Sequence, residues 1–384
     1  MQFSLQWAWW RFVFLNKALD LRGSGGEGIC GSGKQVTQTC SKEQSSKSVL
    51  TWESIQMLEK HEFSEEIVNR LKDLYGLNNW RAPFGFAADC LVIAAAVAAT
   101  KWNVWVYPLA LLVIGSRQRA LASLLHEACH RTLARNRRMN DILGRWCAGF
   151  PVFQSYDAYR GSHVKNHHAF LGDVQRDPDY INYLETGLFD VRDRLDFVAN
   201  FVVKTLFLAN VGGYLKYLAK NRLGEIFANK SELIGLCVVH AVLFVAFYLV
   251  WGSFGYIVFW VVPFLTSYQV IGWFSEISEH YPVIETRRNT LTATRNRFPA
   301  WIENIFIGMH GDNYHLVHHL FAGIPYWNLS LAHRVLMSDP QYAAINNVAG
   351  GIFFSPAGRR SVVHSILEEI GAKASGNFQS TTRE

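Results

Sequence analysis

Two largely uncharged runs in the second half of the chain, Glu232 to Trp251 and Phe254 to Ile277, are long enough to cross a bilayer as helices, which takes about 20 residues each. Two shorter apolar runs precede them, Pro83 to Thr100 and Trp102 to Gly115, the first interrupted by Asp89 and the second closed by Arg117 and Arg119. The connections Lys101 to Asn103 and Gly252 to Ser253 are so short that the four runs pair into two helical hairpins. An all-α, polytopic membrane fold with about four transmembrane helices in two hairpins is therefore expected, because in hydrocarbon a spanning helix pairs its own backbone groups. Everything else then lies on one side of the bilayer.

Composition agrees. Charged residues make up 18% of the chain, below the roughly 25% of soluble domains. The basic residues fall outside the apolar runs, among them Arg131, Arg135, Arg137, Arg138, Arg287, Arg288, Arg295 and Arg297, so their side is expected to be cytoplasmic. The net charge of +6 needs no nucleic acid to explain it, and no basic-aromatic alternation of an RNA-binding kind is present. The six cysteines show no C-x-x-C spacing, which argues against a zinc knuckle or a built-in iron-sulfur centre.

Residues 1–48 read as a disordered or spurious extension. Gln2 to Leu21 is apolar but carries Arg11 and no small-residue cleavage site, unlike a signal peptide. Gly28 to Gln35 nearly matches a phosphate-binding loop, but Gln35 stands where a hydroxyl should reach Mg²⁺, and flanking strand and helix patterns are missing. Ser64 to Tyr75 predicts an amphipathic helix with Ser64 as N-cap, Glu65 and Glu66 in the first turn, and Gly76 as the stop, lying on the membrane or on the rest of the cytosolic part.

Fourteen histidines are present, and eight fall in three groups: HEACH (126–130), HVKNHH (163–168) and HLVHH (315–319). On helices, each group points its imidazoles toward one sector. The isolated His61, His240, His333 and His364 are expected to be ordinary side chains satisfied by a hydrogen bond. Burying eight clustered rings without a shared partner is costly, and a metal is the obvious partner. One zinc takes only three or four protein ligands, so eight imidazoles suffice for two ions. All-nitrogen ligation suits iron, copper, nickel or zinc, and two redox ions beside a membrane point to oxygen chemistry on a lipid.

The three groups, in this order and in this relation to the hairpins, resemble the histidine boxes of the integral-membrane fatty acid desaturases and hydroxylases over about residues 80–340. Leu320 to Leu329 also looks like that family's continuation. The resemblance implies a helical membrane domain under a cytosolic helical cap, two iron ions (Fe²⁺/Fe³⁺), O₂ as co-substrate, and an external electron donor of ferredoxin or cytochrome b5 type. It implies His126, His130, His163, His167, His168, His315, His318 and His319 as ligands, and a ninth after the last transmembrane helix, which His280 provides. In acyl-CoA desaturases of the family an Asn stands four residues before that ligand; here it is Glu276, a possible ligand or outer partner able to assist the centre.

The implied domains are amphipathic cytosolic helices at 49–80, a catalytic domain at 81–340 and a C-terminal cytosolic tail at 341–384. The site would face the cytoplasm from a bacterial inner membrane or the endoplasmic reticulum, with a fatty acyl group or similar lipid as substrate. Asp173, Asp177 and Asp179 could orient ligand imidazoles or simply form a turn; Asp312 and Asn313 are equally ambiguous, and His310 is a possible hydrogen-bond partner of the site. Desaturase, hydroxylase, ketolase and oxidative decarboxylase chemistry all share these boxes. Two other classes compete. HEACH also fits an intramembrane zinc protease with Glu127 as base, but that reading uses two of nine histidines and lacks an L-D-G ligand segment in a later helix. A metal transporter would place its histidines within membrane helices rather than beyond their ends.

Overall fold

The computed structural model describes residues 58–224, 226–285 and 289–374. The expectations for residues 1–48, including the glycine-rich stretch 28–35, lie outside the described residues. The chain divides into two units, Met1–Ser54 and Ile55–Glu384, and every described residue belongs to the second.

Helix α1 (Glu65–Lys72) forms where its cap places it. The Ser64 hydroxyl accepts the Ile67 N–H, and Glu65 and Glu66 sit at the positive end of the helix dipole. Its buried face, Ile67 and Leu71, packs with Leu291, Leu316, Val317 and Leu336, so α1 rests on the segments around box three.

Helices α2 (Arg81–Trp102) and α3 (Tyr107–His130) form the first hairpin, with Trp102 and Trp105 fully exposed at its tip. Of the apolar stretch of α2, only 22% is buried in protein, which leaves its surface for lipid. Helix α3 departs from the expected span at Trp102–Gly115. It starts at Tyr107 and continues unbroken to His130, and it is absent from the three helices among the described residues that are long and apolar enough to cross: α2, Lys230–Trp251 and Ile257–His280. The polar run 116–119 breaks its apolar stretch, and its second half is buried in protein. Ala120, Leu121, Leu124 and Leu125 are in the core, and Gln118 and Arg119 meet the Trp260 carbonyl at 2.9 Å and Asp312 at 3.3 Å. A side chain at Gly115 would collide with the Tyr268 backbone nitrogen at 2.6 Å, so glycine lets the last membrane helix pack directly on α3.

Helix α4 (Pro178–Glu185) follows box two. A bent pair, Arg194–Leu206 and Val211–Leu223, has the composition of a membrane segment when taken together and turns by 75°; sequence reading did not anticipate it. The second hairpin is α5 (Lys230–Trp251), then the helical stretch Ile257–His280 whose last part is α6 (Ser267–His280). Only 6% of the apolar stretch of α5 is buried against 61% for 257–280, so α5 faces outward and the final helix is the inner one. Beyond α7 (His315–Leu320), helix α8 (Val362–Ala374) buries Val362, Ile366 and Ile370 in the same core as α3 and α6. The molecule is an all-α polytopic membrane protein.

Candidate metal centre

Box one is the last turn of α3, where i,i+4 spacing stacks His126 and His130 with ring centroids 4.8 Å apart. Box two lies on Arg160–His167, a helix wound wider than α, in which the His168 N–H reaches back five residues to the His163 carbonyl. His280 ends α6. Box three opens α7 behind two successive left-handed residues, His310 (φ 52°) and Gly311 (φ 73°), which reverse the chain toward the other boxes.

The nine rings come together as two groups. One ring nitrogen from each of His126, His130, His163, His168 and His318 lies within 4.8 Å of the others, and the same holds for His167, His280, His315 and His319. This corrects the expectation that each box aims its rings as one. Adjacent residues on a helix diverge by about 100°, so His167 parts from His168, and His318 from His319.

The Nε2 atoms of His280 and His319 each stand 3.0 Å from His315 Nε2, and His167 is 3.2 Å from His280. In the other group His163–His168 and His168–His318 are 3.1 and 3.2 Å apart. Two nitrogens bound to one ion at about 2.0–2.1 Å are themselves about 3.0–3.4 Å apart. The Nε2 atoms of His126 and His130 are buried without any hydrogen bond, a penalty of about 1–3 kcal/mol each that a cation would remove. The residues fit a metal.

Outer groups orient several rings. Asp177 takes His167 Nδ1 at 2.9 Å while also capping α4 through the Asp179 and Tyr180 amides. Asp179 stands 3.4 Å from the same nitrogen, and His280 Nδ1 is 3.2 Å from the Ala293 carbonyl. Burial and the neighbouring imidazoles push His163, His168, His315, His318 and His319 well below the usual histidine range, so these rings are neutral with free lone pairs. Burial acts the same way on His167, but Asp177 and Asp179 outweigh it and raise the group to about 9.

Of the other residues singled out by sequence, Glu276 lies outside both groups; its carboxylate accepts the Tyr214 hydroxyl at 2.6 Å and lines the cavity beside the rings. Its neighbour Glu279, which sequence reading missed although it adjoins His280, stands 3.5 Å from His315 Nε2 and 3.1 Å from the buried Arg297. Asp312 pairs with Arg297 at 2.6 Å and Arg119 at 3.3 Å, while Asn313 offers only its backbone carbonyl to the Arg297 amide. His310 bonds Asp89 at 2.7 Å and lines the same cavity. Asp173 is turn chemistry, tied to Arg176. The isolated histidines behave as expected: His61 meets Asp339, His240 the Phe150 carbonyl, His333 Tyr342 and His364 Glu368.

The zinc-protease alternative gains no support. The rings of HEACH sit among five imidazoles, and one oxygen of Glu127 accepts both the Thr132 hydroxyl and the Tyr326 amide, while the other lies 3.7 Å from His126 Nδ1.

The family model "Fatty acid desaturase" matches residues 74–346. The chain is 39% identical to the dihydrorhizobitoxine desaturase of Bradyrhizobium elkanii over 80% of its own length and 90% of that protein. It is 25% identical to the chloroplastic omega-6 fatty acid desaturase of Arabidopsis thaliana, over 63% of this chain and 55% of that one. It is also 25% identical to the sn-1 oleoyl-lipid 12-desaturase of a Synechocystis strain, over 56% and 63% respectively. With nine convergent histidines, a polytopic helical fold and these matches, the chain belongs to the fatty acid desaturase family and is an enzyme of that type.

Proposed function

We propose that the nine histidines hold two iron ions, one in the five-ring group and one in the four-ring group, and that the enzyme desaturates a lipid-class substrate with O₂ and an external electron donor. The observation that carries this reading is the approach of ring nitrogens to 3.0–3.2 Å in two separate sets. Bound iron would supply the one chemistry that side chains lack, activation of O₂ toward an unactivated C–H bond. Overall, a –CH₂–CH₂– unit, O₂, two electrons and two protons give –CH=CH– and two waters. Desaturation is favoured over hydroxylation because the matched relatives are named desaturases.

The protein's part is placement and exclusion. Asp177 holds His167 through Nδ1, which leaves Nε2 for a metal. Leu124, Leu125 and Ala128 back box one and keep water from behind it. Arg131, Arg135, Arg137 and Arg138, exposed just past His130, form a basic face on which an acidic one-electron carrier would dock, on the side taken to be cytoplasmic.

The test is turnover in membranes expressing the chain with a ferredoxin or cytochrome b5 reductase system. Loss of two hydrogens per product, in step with O₂ and electron uptake, is expected and should vanish on chelation. A product that has gained oxygen would shift the assignment to hydroxylation, and turnover without iron would overturn it.

A further inference from the structure

The cavity beside the rings touches both groups, through His126, His163 and His318 on one side and His315 on the other. Its wall is unusual for an alkyl chain. Among the described residues lining it, Leu329 is the one aliphatic side chain, while Arg119, Arg222, Glu127, Asp179, Glu276, Glu279 and Asp312 bring charge; Glu127 is turned to the Thr132 hydroxyl and the Tyr326 amide. A run of methylenes seated there would strip water from these ions and return no hydrogen bond. The charges are matched unevenly. Asp312 is answered by Arg297 and Arg119, Asp179 by Arg222 at 3.4 Å, and Glu279 by Arg297. Glu276 accepts only the Tyr214 hydroxyl, on one oxygen; its other oxygen accepts nothing, and it forms no ion pair among the described residues.

Resting on the two-iron desaturation proposed above but not on its lipid substrate, we infer that the substrate brings an amine-bearing polar group into this cavity, where Glu276 binds its ammonium, so that the double bond forms close to a charged end of the molecule and not deep within an apolar tail. An ammonium offers three donors and a compact charge, which suits a carboxylate with open acceptor sites. A soluble amino-acid-like molecule and an amino-headed lipid both carry that group.

Binding to the full-length, iron-loaded protein, without O₂ or reductant, separates this inference from turnover. The probes are 2-aminooctanoic acid and octanoic acid by calorimetry, and nanodiscs of phosphatidylethanolamine or phosphatidylglycerol, read by the ligand-field spectrum of the ferrous protein. Binding of aminooctanoic acid at least about tenfold tighter than octanoic acid supports a soluble amine; a spectral change with phosphatidylethanolamine alone supports an amino-lipid head. Glu276→Gln should erase whichever preference is seen, with thermal unfolding as the check on folding, and the wild-type comparison stands if that variant does not fold. Equal or tighter binding of octanoic acid, no response to either amine probe, or a preference that survives Glu276→Gln overturns the inference. Failure of the functional reading shows separately, as protein that takes up no iron.

Discussion

The two histidine groups share one ligand chemistry but are held differently. In the four-ring group His167 is backed through Nδ1 by Asp177 and Asp179 and His280 by the Ala293 carbonyl, while Glu279 stands 3.5 Å from His315 Nε2, on the side of that ring facing the other imidazoles. In the five-ring group the Nδ1 atoms of His163 and His318 are buried without a hydrogen bond, and packing of rings on rings sets their direction. Carboxylates behind an imidazole make it a more basic ligand and fix its tautomer. The two sites differ in support: hydrogen bonds anchor one, and ring packing anchors the other.

The largest effect should come from removing a ring. His318→Ala is expected to abolish turnover and leave one iron bound, and His319→Ala to do the same from the other group; metal analysis with an activity assay reads both. Asp177→Asn should lower iron affinity of the four-ring group by about 10–100-fold and leave the five-ring group nearly untouched, as competitive chelation would measure. An equal loss at both sites would break the comparison.

The pH dependence of the metal-free protein sharpens it further. His163, His168 and His318 have pKa values depressed by burial and neighbouring rings, so their contribution to stability is full above the unfolded value of about 6.5 and is lost as pH falls below it. His167 has the opposite sign. Raised to about 9, it stabilises below the unfolded value and loses that contribution as pH rises through about 9. Melting temperature against pH should therefore form a dome, and Asp177→Asn should flatten its alkaline limb alone. The smallest effect is Thr132→Val, which removes a 2.8 Å hydrogen bond to Glu127 behind box one. It should cost about 1 kcal/mol, seen as a drop of a few degrees in melting temperature, with iron in the four-ring group unchanged.

Much of this was legible in the sequence. Runs of apolar residues declared α2, α5 and the helix ending at His280, and clustering singled out eight of the nine imidazoles that the fold brings together. The bent pair at 194–223 was hidden because Lys204 and Arg222 break its apolar pattern, and Arg222 is buried against Asp179 by tertiary contacts that no local pattern reports. Helix α3 misled for a related reason: one half resembles a membrane segment while the other is core. The division of nine rings into five and four depends on the wide helix at 160–167 and on the left-handed turn at His310 and Gly311. Neither leaves a periodic signature. Glu279 and Arg297 sit in plain view beside His280 and box three, yet their pairing exists only once α6 and the loop before box three have met.

Mössbauer spectroscopy of protein loaded with iron-57, compared with its His318→Ala and His319→Ala variants, tests the central claim most directly. Two irons per chain in distinguishable environments are expected, with each variant losing a different one. A single iron in the wild-type protein, or full activity with none, would contradict it.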